Sequence, residues 1–337
     1  GGGGGRGSGG WGVGHRIVVA FESNASSGEV RTMVRDGRGD IIMSPSALSI
    51  DQPVDFDAPV AGVQSTSAAA ISAARLGVAF TDFPGGMGDI LVRFFDQTRS
   101  PMGPPTAAHP TTGGQTLPDI AMTADGTAMV VFADTTSASG ASASLFAAGS
   151  TTPGAPAVIG TASVQAPAVA AAGTGFLVAF VSAGDIFVQR FDAAGVASAA
   201  LPVAMDAGEQ SDPAVAALDA DRFLVTWTDP AGIRAKAFSG DTGGTTLVVG
   251  AGVAPAVGAG GERFLLAWED AGTIRARLYD GSGQPARNRE SPPTPDAFVV
   301  AMGAKPDVAA GGDASQAAGI VVFEAATDIQ SRLFPLP

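Results

Sequence analysis

Cysteine is absent from this 337-residue chain, which excludes disulfides, thiol catalysis and cysteine metal sites. Lysine is nearly absent, at Lys236 and Lys305 alone, and arginine supplies almost all of the positive charge. Glutamate is also scarce, while aspartate and glycine are abundant. Alanine is common, yet the lysine and glutamate that solubilise surface helices are missing, so helices are not expected. No apolar run approaches the ~20 residues that span a bilayer as a helix, and no membrane span is expected. Histidine occurs only at His15 and His109, far apart in sequence, which leaves no visible triad or multi-histidine metal site. A formal charge of −13 repels phosphate backbones, so nucleic acid is not an expected partner.

What is present is a repeat. A small-to-apolar run ending in an aromatic occurs seven times: Val18 to Phe21, Gly77 to Phe80, Met129 to Phe132, Leu177 to Phe180, Leu224 to Trp227, Leu265 to Trp268 and Ile320 to Phe323. Successive aromatics lie 59, 52, 48, 47, 41 and 55 residues apart. Several short strands in units of this length predict an all-β chain folded as a seven-bladed β-propeller of mostly four-stranded blades. The blades are expected at about 8–60, 61–113, 114–160, 161–206, 207–250, 251–300 and 301–337.

One unit shows the grammar. Pro167 to Ala170 is a small-residue inner strand, Phe176 to Phe180 an apolar second strand, Ile186 to Phe191 an alternating third, and Ala200 to Ala204 a fourth. Asp192-Ala193-Ala194-Gly195 is a hairpin turn with Asp first and Gly last, as is Asp280-Gly281-Ser282-Gly283. Basic residues recur in the third strand (Arg93, Arg190, Arg234, Lys236, Arg275, Arg277, Arg332), and acids follow the second (Glu22, Asp82, Asp134, Asp229, Glu269, Asp270, Glu324). Cross-strand pairs within each blade are the expected use of both. The last unit ends after its third strand, so the last blade lacks its own fourth strand. The Gly-rich tail of residues 1–7 is the candidate to complete an edge, its own or a neighbour's.

These units resemble seven-bladed propellers of secreted bacterial proteins, which read as a small-residue inner strand, a Phe/Leu-Val-Ala-Phe/Trp strand and an Ile-x-x-Arg-x-Phe-Asp strand. The resemblance covers roughly Ser8 to Pro337 and implies architecture without activity. The Gly-His and Trp-Asp signatures of WD repeats, the sialidase boxes and the multi-Trp signature of quinoprotein dehydrogenases are absent. Gly1 to Gly10 resembles the spacer of secreted or lipid-anchored proteins, so an extracellular or cell-surface location is expected.

The functional expectation is a non-enzymatic structural protein that associates with identical subunits by strand pairing. Its assembly residues would be Gly1, Gly2, Gly3, Gly4, Gly5, Arg6, Gly7, Arg332 and Phe334. A lectin-like propeller for surface glycans is the alternative, with Trp11 the one tryptophan outside the repeated core position, and a hydrolase is the third and least favoured reading. No cofactor motif is visible and none is expected. Asp51, Asp55 and Asp57 are calcium candidates by oxygen chemistry, as is the pair Asp219 and Asp221, but neither spacing matches a calcium loop. Glycosidase chemistry needs converging carboxylates, and Asp119 and Asp307 are the only acids expected in the channel strands. Arg38-Gly39-Asp40 falls on a hairpin turn of the repeat and is read as turn chemistry.

Overall fold

A computed structural model describes residues 16–23, 29–36, 41–43, 65–83, 87–98, 100–111, 113–287, 296–311, 317–325 and 328–336. Statements of absence below concern these residues. The described chain is all-β and forms seven antiparallel sheets, each from consecutive strands.

Sheet one holds Arg16–Ser23, Glu29–Asp36 and Ile41–Met43. In sheets two to seven the first strands are Ser65–Ile71, Gln115–Met122, Val164–Ala172, Ser211–Ala217, Val253–Gly260 and Ala304–Gly311. The aromatic-ended runs form the second strands: Leu76–Asp82, Ala128–Asp134, Gly175–Ser182, Arg222–Asp229, Arg263–Asp270 and Ala318–Ala325. The third strands are Asp89–Phe95, Ala141–Phe146, Asp185–Phe191, Gly232–Ser239, Thr273–Asp280 and Asp328–Pro335. First strands of consecutive sheets lie side by side, and that of sheet seven meets Arg16–Ser23 of sheet one. This ring of radiating sheets is a β-propeller. Sheet seven has three strands among the described residues. The tail of residues 1–7 lies outside the described residues, as do Trp11, His15, Asp51, Asp55, Asp57 and the Arg38-Gly39-Asp40 turn.

The core lies between sheets. In sheet four, Val178 and Phe180 face sheet three and pack with Met129, Val131 and Ala143. Leu177 and Ala179 face sheet five and pack with Val215, Phe223, Val225 and Trp227. Alternate residues of one strand therefore enter two different cores, and this is why the second strands are apolar at every position. Trp227, Trp268 and Tyr279 are fully buried in these layers. Burial pushes the Tyr279 hydroxyl above its ordinary pKa.

First strands carry a repeated irregularity. In sheets three to seven the register shifts just before a proline, and the residue ahead of it adopts positive φ: Leu117 (55°), Ala166 (46°), Asp212 (50°), Ala254 (52°) and Lys305 (48°). None is glycine, so each bulge holds an L side chain in the left-handed region. Past the bulge, Asp119 accepts hydrogen bonds from the Ile120 and Val169 amides, 2.9 and 2.8 Å away. It thus ties sheet three to sheet four. Asp119 is a buried inter-sheet latch and not a channel carboxylate.

Fourth positions are short or broken. They hold two residues in sheets two and three (Thr106–Ala107, Ala157–Val158) and split pieces in sheets five and six. Short outer strands limit edge-to-edge pairing.

The basic stripe behaves differently from the within-blade expectation. Arg234 and Arg275 do pair inside their own sheets, with Asp229 at 3.6 Å and Asp270 at 2.7 Å. Arg190 instead crosses to sheet five, bonding Asp241 at 2.9 Å and the carbonyls of Ala220 and Gly240. Lys236 reaches back to the Val203 carbonyl, and Arg332 to those of Val299 and Val300. Sheets stacked face to face put a neighbour's backbone within reach of a long side chain, and lone carbonyls then compete with carboxylates.

Candidate functional site

Antiparallel succession puts the turns between first and second strands, and between third and fourth, on one face of the ring. The remaining connections lie on the other. On the first face, sheets five and six leave a cleft of about 880 Å³. Its polar wall is Arg222, Glu262, Arg263 and Asp280, and Ala237 and Phe238 form the apolar side.

The cleft is built by turn chemistry. Asp219 accepts from the Asp221 and Arg222 amides and from Arg222 Nε, at 2.9, 2.7 and 2.7 Å, which fixes the turn into the second strand of sheet five. The same guanidinium crosses the cleft and makes a two-point contact with Glu262, Nη2 to Oε1 being 3.0 Å. Partial burial pushes the Asp219 carboxyl up, but bonds from Arg222 outweigh this and hold it below the usual range. Arg222 likewise lowers Glu262, and both partners raise Arg222. On the far wall Asp280 Oδ1 accepts from the Ser282 and Gln284 amides, both at 2.9 Å, and Gly283 closes the turn at φ 81°. This is the Asp-first, Gly-last hairpin read from the sequence. Glycine keeps the cleft open: a Cβ at Gly243 would sit 2.7 Å from Lys236 Cε, and one at Gly281 3.1 Å from Arg222 Nη1.

On the opposite face the loop leaving sheet two brings His109 to the end of the second strand of sheet three. His109 Nδ1 lies 3.1 Å from Asp134 Oδ2. Asp134 is buried and also accepts from the Thr136 amide (2.9 Å), Thr136 Oγ1 (2.6 Å) and Ser142 Oγ (2.8 Å). Burial pushes its carboxyl up, yet bonds from Thr136, Ser142 and His109 prevail and leave it below the ordinary value. In the sequence His109 has no second histidine beside it to form a triad or metal site. The signal that points to it is Asp134, an acid of the repeated set whose own sheet offers no arginine to hold it.

The other sequence candidates disperse. Arg332 lies over Phe334 at 5.2 Å and bonds the outer strand of sheet six, while Phe334 packs on Phe298. Asp219 is engaged by Arg222. No group of three or more potential metal ligands occurs among the described residues, and no described helix is long and apolar enough to cross a membrane.

No protein-family model matches the sequence, and no curated protein matches it. Solved structures do match in fold. A Dyadobacter fermentans protein of unknown function superposes with TM-score 0.57 at 12% identity, covering 82% of this chain and 96% of its own. A polysaccharide lyase, an ulvan lyase in complex with -[GlcA(1-4)Rha3S]-, gives 0.53 at 11% identity, covering 99% and 94%. The Dos1 propeller gives 0.52 at 11% identity, covering 98% and 92%. At these identities the likeness is one of fold, and the fold is a β-propeller.

The expectation of a non-enzymatic protein is corrected here. A polysaccharide lyase is among the structures that share this architecture, and a histidine–carboxylate pair stands where the sequence showed no constellation. Nothing in the comparisons supports self-association.

Proposed function

We propose that this propeller binds a neutral saccharide in the cleft between sheets five and six. The cleft itself carries the reading. About 880 Å³ falls within the size range of small-molecule sites. Sugar hydroxyls both donate and accept, and guanidinium donors here alternate with carboxylate acceptors beside an apolar wall. Acid and base nearly balance in the cleft, while the whole chain carries −13, so an uncharged chain is favoured over a polyanion. The ulvan lyase adds that a propeller of this shape can engage a polysaccharide. An extracellular setting belongs to the same proposal.

Titration calorimetry with a panel of neutral oligosaccharides tests it. Binding is expected for at least one, and Ser282→Trp, which fills the cleft from an exposed turn, is expected to abolish that binding without lowering the melting temperature. Unchanged affinity in Ser282→Trp, or no binding across the panel, rejects the reading.

A further inference from the structure

The acid that ends the second strand is met by an arginine in two sheets. Asp229 has Arg234 at 3.6 Å and Asp270 has Arg275 at 2.7 Å. In sheet three that position is Asp134, and its partner is the imidazole of His109. Sheet three thus places a proton-transfer group where sheets five and six place a guanidinium.

The surroundings fix that group. An ionised carboxylate only accepts, so Nδ1 carries a proton, and in the neutral ring Nε2 presents the lone pair. Nε2 has no partner among the described residues, and the His109 side chain is 19% exposed. The supporting loop is held at three points: Gln115 Nε2 donates to the His109 carbonyl (2.8 Å) and to Thr111 Oγ1 (3.0 Å), and Gln115 Oε1 accepts from the Ile90 amide (3.3 Å). Phe132 braces the ring at 6.5 Å between centroids.

We propose that His109 is a general base for cleavage of uncharged esters, with Asp134 its positioning residue. This site lies on the face opposite the saccharide cleft and does not rest on that reading. In the step, Nε2 takes a proton from water as the water oxygen bonds to the ester carbonyl carbon. The carbonyl π pair moves onto oxygen, then returns as the bond to the alkoxy oxygen breaks. The imidazolium delivers its proton to that leaving oxygen, giving acid and alcohol, and Asp134 stays ionised throughout. An imidazole suffices for an ester. A glycosidic bond calls for a carboxylic acid pair, and no second carboxylate meets His109 in the structure.

The probe is p-nitrophenyl acetate with the full chain, and the structural readout is the ¹⁵N spectrum of the two imidazoles, assigned with His15→Ala. Expected are a protonated Nδ1 and bare Nε2 at His109, a rate slowed in D₂O, and a loss of about 10²-fold in His109→Gln, which can keep a hydrogen bond to Asp134 but cannot act as base. Asp134→Asn should lower the rate and change the tautomer together, while His15→Ala leaves both unchanged. A rate in His109→Gln equal to that of the unaltered chain, or a protonated Nε2 at His109, overturns the proposal.

Discussion

At the scale of the residue, the chain uses buried charge sparingly and satisfies it from the backbone. Arg75 is the clearest case. It is 2% exposed, donates to the carbonyls of Gly126, Phe146, Ala147 and Ser150, and lies 3.9 Å over the Phe94 ring. Burial lowers its pKa to about 10. Asp134 is the acidic counterpart. Its folded pKa is depressed, so its stabilisation is present above the unfolded value of about 3.9 and is lost as pH falls through the folded value. Asp134→Asn should therefore cost about 1–3 kcal/mol at neutral pH, and the gap should close on acidification below pH ~4. Urea melts of both proteins from pH 7 to pH 2 check this, and a gap that persists at pH 2 counts against it. Little of this scale was legible in the sequence. The stripes of acids and arginines were visible, but a long side chain does not declare which neighbouring sheet it will reach. Asp134 and His109 are partners only because one sheet's exit loop lands on the next sheet's strand end.

At the scale of the element, legibility followed side-chain pattern. Second strands were plain because burial on both sides demands unbroken apolar runs, and third strands because one side alternates. Outer strands of two residues carry no pattern at all, and the bulges were hidden behind prolines that read as simple strand starts. The bulges make their own prediction. Ala166 holds φ 46° with an L side chain, so Ala166→Gly should relieve the left-handed strain. The melting temperature is expected to rise by about 1 °C, corresponding to about 0.5–1 kcal/mol net of glycine's entropy in the unfolded chain. A fall would mean that the bulge is not strained.

At the scale of the molecule, stability resides in interfaces between sheets. Five of the six described cores draw side chains from two adjacent sheets, as the Val178 and Leu177 sides of a single strand show. A sheet removed from the ring would bare the flanks of both neighbours. Equilibrium unfolding in denaturant is therefore expected as one transition by fluorescence of the buried Trp227 and Trp268 and by far-ultraviolet dichroism alike. Separated midpoints would instead show sheets melting one by one, as in an open solenoid.

Placing the cores between sheets also sets an order of events during synthesis. A sheet that has left the ribosome cannot cover its forward side until the next sheet follows, so every unit waits about one repeat before its first core closes. Sheet one waits longest. The neighbour on its other side is the strand Ala304–Gly311 of sheet seven, the last of the seven sheets to be made. One flank of the first of the seven sheets thus stays open to solvent, or to a chaperone, until the seventh has been made.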